Sequence, residues 1–190
     1  MKKIKLNKNE ILILRTSDKD GRSHGGFQWP IDGAVAAPDW DGKPECGGGL
    51  HGLPRGCGDG SLLTWGKEAT TQLVAVDASQ DYLEFDGKCK FKDGRVVFSK
   101  QNAIYDAIEI LCAIYPDLPI VGRKATAGDA GTATAGNRGT ATAGDDGILV
   151  IKLWDGKRYR ISIGYVGEDG IEPNKKYKLD EKGKFIVAAE

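Results

Sequence analysis

The sequence predicts an α+β N-terminal domain followed by a short octapeptide-repeat β-solenoid with a β-hairpin cap. Three observations carry that expectation. An eight-residue unit recurs three times between Ala125 and Ile148. One stretch, residues 100–115, has apolar side chains at helical spacing. The remainder alternates short apolar runs with Gly-, Asp- and Pro-rich turns.

The elements follow in order. Glu10-Ile11-Leu12-Ile13-Leu14-Arg15-Thr16 is a short apolar run ending in polar residues, so it predicts a buried strand. Residues 17–66 are rich in Gly, Pro, Asp and Trp and predict a long irregular stretch. Leu73 to Asp77 predicts a second strand. Tyr82 to Phe85 and Lys88 to Phe91 flank Asp86-Gly87, a hairpin signal. Asp93-Gly94 is a second turn signal before the strand-like Arg95 to Phe98. Ser99 can cap a helix whose stripe is Ile104, Ile108, Leu111, Cys112 and Tyr115, with Pro116 ending it. These elements define a domain over residues 1–118, and residues 119–124 form a linker.

The first octad is Ala125-Thr126-Ala127-Gly128-Asp129-Ala130-Gly131-Thr132. The next two begin at Ala133 and Ala141. Five of the eight positions agree in all three, and a sixth holds Asp or Asn. A fixed period without a helical stripe predicts stacked β coils over 125–148. Gly-Asp-x-Gly is the turn, and Thr-Ala-Thr-Ala is the strand between turns. Alternation puts the threonines on one face and the alanines on the other, with the alanines inside. Two octads make one coil, so Thr126 is expected opposite Thr142. Residues 149–190 predict the cap. Ile148 to Trp154, Arg158 to Val166, Tyr177 to Leu179 and Phe185 to Val187 read as strands separated by turns. Arg123 and Lys124 read as a charged guard on the open edge.

Composition narrows the function classes. The 190 residues hold 27 Lys plus Arg and 27 Asp plus Glu, a formal net charge of zero. That balance gives no general electrostatic grip on nucleic acid. Met1-Lys2-Lys3-Ile4-Lys5 reads as a solvated terminus. No apolar run approaches the ~18 residues needed to span a bilayer, and no signal peptide is expected, so the chain reads as cytoplasmic. Its four cysteines are then expected to be reduced and metal-free.

The order of parts resembles a family of uncharacterised bacteriophage and prophage proteins. The residues that carry the likeness are Gly49-Leu50-His51, the octads, and Tyr177-Lys178-Leu179 with Gly183-Lys184-Phe185. The N-terminal signature is Leu14-Arg15-Thr16, Gly25-Gly26-Phe27-Gln28-Trp29-Pro30, Pro38-Asp39-Trp40 and Cys46 to Gly52. The resemblance implies a phage setting and no particular activity. The octads also resemble those of bacterial ice-nucleation proteins, in Ala127-Gly128-x-x-Gly131-Thr132-x-Thr134. One and a half coils present a small surface, so ice binding is not expected.

Several constellations could carry chemistry. Gly47, Gly49 and Gly52 fit a Gly-x-Gly-x-x-Gly pattern, but Pro44 and Pro54 remove the strand-then-helix context it needs. Cys46, His51, Cys57 and remote Cys89 are zinc-ligand types at loose spacing, so no metal is expected. A Cys–His nucleophilic pair lacks an orienting acid. Arg15 with downstream Glu84 weakly resembles mono-ADP-ribosyltransferases, against the simpler reading that Arg15 pairs with a carboxylate and Glu84 faces solvent. Asp39, Asp41 and Glu45 match no calcium loop. Trp29 and Trp40, with Phe27 and His24 nearby, suit either a pocket or a core.

The resulting expectation is a phage-derived binding or interaction protein without cofactor. It captures a nucleotide-like ligand or a host protein, in a counter-defence role. The candidate ligand-binding residues are Arg15, Trp29, Asp39, Trp40 and His51. The alternatives are a nucleotide- or phosphoester-acting enzyme using His51 and Arg15, and a structural module that self-associates. A homodimer through the flat row Thr126, Thr134 and Thr142, with Trp154 and Tyr159, is expected.

Overall fold

The computed structural model describes residues 4–136 and 139–188. The chain divides into two compact units, Met1–Ile120 and Val121–Glu190. The solvated terminus expected at Met1-Lys2-Lys3 and the second octad's Asn137-Arg138 turn lie outside the described residues, as does the Lys124 side chain.

The first unit is built on a seven-stranded sheet. Its strands are β1 (Glu10–Ser17), β2 (Gly33–Ala36), β3 (Leu50–Pro54), β4 (Thr70–Asp77), β5 (Tyr82–Phe85), β6 (Lys88–Phe91) and β7 (Asp93–Gln101). They lie in the order β2-β7-β4-β1-β3-β6-β5, paired antiparallel. Central β1 is apolar on both sides because both its faces are covered. Ile11 and Ile13 join Val74, Val76, Trp29, Leu50 and Phe91 in one core. Leu12 and Leu14 point the other way, where α1 (Ile104–Ile114) packs with Ile108 and Leu111 buried. The Leu12 amide donates to the Tyr115 hydroxyl at 3.1 Å, tying the helix end to β1.

Two local expectations shift. Ser99 does not cap the helix, because β7 continues to Gln101 and Ala103 takes the cap position. The stretch 17–66 is less irregular than predicted: it supplies β2 and β3. Leu50-His51-Gly52 forms a strand because Gly52 lets β3 lie against β1. A Cβ there would stand 2.5 Å from the Ile13 side chain and 2.8 Å from the Leu14 carbonyl.

The second unit holds β8 (Lys124–Thr126), β9 (Thr132–Ala135), β10 (Thr140–Thr142), β11 (Ile148–Trp154), β12 (Tyr159–Tyr165), β13 (Tyr177–Leu179) and β14 (Phe185–Val187). Alternate octads go to alternate sheets. β8 pairs in parallel with β10, Thr126 opposite Thr142, in a sheet ordered β14-β13-β10-β8. β9 pairs in parallel with β11, Thr132 opposite Ile148 and Thr134 opposite Val150, in a sheet ordered β12-β11-β9. Ala133, Ala135, Ala141 and Ala143 are buried with Leu149, Ile151, Ile171 and Tyr177. Methyl side chains are what two closely spaced strand layers leave room for.

The fold class is therefore corrected. The protein is mostly β with a single helix among the described residues, rather than an α+β domain followed by a solenoid with a separate cap. The physical reason lies in the shortness of the repeat. Three octads bury too little to stack on their own. Their strands are completed by antiparallel β12, β13 and β14, so repeat and non-repeat strands share the same sheets and core.

Candidate functional site

The first unit carries an open basin of about 1410 Å³ at one end of its sheet. Residues 15–17 at the end of β1 and residues 50–53 of β3 line it. On one face β1 reads Ile11, Ile13, Arg15, Ser17, and its partners on β4 are Val76, Val74, Gln72 and Thr70. Both rows change from apolar to polar at the same rung, so buried polar groups meet: Arg15 is 8% exposed, Ser17 6% and Gln72 0%. Gln72 Nε2 donates to Ser17 Oγ at 2.7 Å.

Arg15 does not pair with a carboxylate as expected. Its guanidinium lies 3.7 Å above the Trp29 ring. Nη1 donates to the His51 carbonyl and Nη2 to the Thr16 carbonyl, both at 3.2 Å. Nε has no partner among the described residues, and neither have His51 Nε2 and Gln72 Oε1. Burial pushes the Arg15 guanidinium down to about 9, which leaves it charged at neutral pH. Burial also lowers His51, and the nearby cations Lys88, Lys90 and Arg15 lower it further.

The candidate residues separate into two groups. Arg15, Trp29 and His51 come together, with Asp39 on the basin wall. Asp39 is engaged in loop structure, accepting the Gly49 amide at 3.0 Å. Trp40 sits away from Arg15, its ring 5.7 Å from the ammonium of Lys90. Lys90 is fully buried. It pairs with Asp41 and donates to the carbonyls of Lys43 at 3.0 Å and Glu45 at 3.3 Å. Asp41 and Glu45 therefore anchor a loop around a lysine.

Sequence reasoning missed Gln72 and Lys90. Gln72 carried a weak signal at most, since it sits with Thr70 and Thr71 ahead of the apolar run 73–76 and reads as a polar strand end. Lys90 carried none, because an alternating Lys88-Cys89-Lys90 reads as a solvated strand face.

The remaining candidates are dispersed. Glu84 is exposed, bonds the Tyr82 hydroxyl and lies 3.8 Å from Arg55. Cys89 is buried, donates to the Gly52 carbonyl at 3.3 Å and is pushed up to about 12 by that burial. Cys46 is exposed beside Lys88 Nζ at 2.9 Å. Among the described residues no three His, Cys, Asp or Glu side chains gather as a metal site. No helix among them is long and apolar enough to cross a membrane.

The second unit offers a different kind of site, a sheet face. Thr132 and Thr134 point outward from β9 and are exposed, and Thr126 is exposed on the other sheet. Beside Thr132 and Thr134 lie Ile148 and Val150, and beyond them Tyr165 and Ile163. Ile161 is 61% exposed and Ile163 55%, so this outer face mixes hydroxyls with uncovered apolar side chains.

No protein family matches the chain, and no solved structure matches it. Among curated proteins, the chain is 37% identical over 95 residues to ice nucleation protein InaU of Pantoea ananas. An ice nucleation protein of Enterobacter agglomerans and InaA of Pantoea ananas match at the same identity and length. The match takes in 48% of this chain but only 7–9% of those proteins, so the chain spans a small fraction of the relatives' length. These relatives overturn the expectation of a phage-derived ligand-binding or counter-defence protein. Three octads alone present a small face. The outward residues of β11 and β12 widen that face.

Proposed function

We propose that the second unit is an ice-binding repeat module of the ice-nucleation type. The observation that carries this reading is the outer face of β9, β11 and β12, where exposed Thr132 and Thr134 stand in register with Ile148 and Val150. Sequence identity to ice nucleation proteins supports it. Threonine hydroxyls both donate and accept hydrogen bonds and so fix water positions. Adjacent methyl groups hold water in cages without competing for those bonds. Adjacent strands lie ~4.8 Å apart, so the Thr132 and Thr134 hydroxyls and the aliphatic side chains beside them form a regular pattern. Ala133 and Ala135 beneath hold the strand layers close and the face flat.

The test is partition into a growing ice hemisphere. The parent chain is expected to enter the ice, and a Thr134→Lys/Ile163→Lys double variant to stay in the liquid. Both positions are exposed, so the fold tolerates the change. A parent chain excluded from ice like an unrelated soluble protein overturns the reading.

A further inference from the structure

We propose that the polar end of the first unit's sheet is a binding site for a small oxyanion, a carboxylate or phosphate group, held by Arg15 with His51 beside it. The proposal concerns the first unit and is independent of the ice-binding reading of the second.

The starting point is an uncompensated charge. Arg15 is more than nine-tenths buried, yet among the described residues no carboxylate lies within ion-pair distance of it. A buried cation normally has a counter-charge, because removing it from water costs several kcal/mol. The Trp29 ring and two carbonyls offset part of this cost. They engage two of the five guanidinium N–H groups and leave Nε unpartnered.

Two of the basin's acids serve loop structure, and the third, Glu68, makes no ion pair with Arg15. Asp18 accepts the amides of Asp20 and Arg22 at 2.9 and 2.7 Å, closing its own turn, and Asp39 accepts the Gly49 amide. Lys88, Lys90 and Arg15 all lie near enough to His51 to act on it, so the surroundings are rich in positive charge. A planar or tetrahedral oxyanion answers both features. It supplies the missing negative charge and accepts from the free guanidinium edge, which suits carboxylate and phosphate oxygens. His51 Nε2, buried, unpartnered and on the wall of the same basin, adds a polar contact. The Trp29 ring under the guanidinium fixes its plane, so the edge presented to the anion is preorganised.

The test follows the Arg15 Nε–H and His51 ring resonances of the full chain by NMR. Inorganic phosphate and sodium acetate are titrated separately, with ionic strength held constant by chloride. Saturable shifts with phosphate alone assign a phosphate ligand, with acetate alone a carboxylate, and with both a general oxyanion site. Arg15→Met is expected to abolish saturation, and His51→Gln to weaken it by about tenfold, as loss of a buried polar contact does. Should Arg15→Met fail to fold, as judged by circular dichroism, the parent titration and His51→Gln decide alone. Linear, non-saturating shifts with both anions, or an unchanged midpoint in His51→Gln together with saturation in folded Arg15→Met, overturn the proposal.

Discussion

Lys90 shows what a single residue's surroundings can impose. Its ammonium is wholly removed from solvent, while the side chain of its partner Asp41 is 35% exposed. The bonded ammonium holds the Asp41 carboxyl below the usual carboxylate range. The two ends of this pair are not equivalent. Removing the lysine leaves a carboxylate that water reaches, whereas removing the aspartate strands a buried cation. Lys90→Met, which keeps the stem, is therefore expected to stay within about 1.5 kcal/mol of the parent. Asp41→Ala is expected to destabilise the protein more than Lys90→Met does. Urea unfolding of both variants checks the order, and the reverse ranking refutes it.

At the scale of the element, the octad turn is the informative unit. Its sixth position is left-handed in the described copies, with φ of 52° at Ala130 and 53° at Asp146. The fifth position works across copies: Asp129 Oδ1 accepts the Asp145 amide at 3.1 Å, so one turn caps the turn two octads later. Alanine in a left-handed conformation carries a steric cost that asparagine bears more easily. Ala130→Asn is expected to raise stability by about 0.5–1 kcal/mol. Chemical denaturation measures it, and a loss of stability would show that the strain is not local to that turn.

At the scale of the molecule, acid stability depends on a long-range tie in the first unit. Arg95 on β7 grips Glu10 at the start of β1 with two bonds of 3.0 and 2.8 Å, and its Nη2 also donates to the Lys5 carbonyl at 2.8 Å. This bonding lowers the Glu10 pKa below its ordinary 4.5, the Arg95 hydrogen bond being the main cause. A carboxylate with a depressed folded pKa contributes stability above its unfolded pKa and loses it as pH falls through the folded value. The first unit's stability is thus expected to decline below about pH 4.5, and Glu10→Gln to flatten that part of the decline. Thermal midpoints of the parent and Glu10→Gln between pH 3 and 7, roughly spanning the carboxylate range, provide the check. Parallel curves would contradict the assignment.

Periodicity made much of the local structure legible. The run Ile11 to Leu14, the hairpin around Asp86-Gly87, the stripe of Ile104, Ile108 and Leu111, and the alternation of threonine and alanine follow from side-chain spacing alone. The octad period likewise places Thr126 opposite Thr142. Tertiary structure decided what spacing cannot encode. It ran β7 through Ser99, made a strand of Leu50 to Pro54, and joined repeat strands to non-repeat partners in shared sheets. It placed Trp29 under Arg15 while turning Trp40 toward Lys90. It also buried Lys90 and Gln72 among apolar neighbours. Local sequence determines which faces a strand has. Which face is covered, and whether a buried charge meets its partner, depends on chain segments far away in sequence, and only packing brings those together.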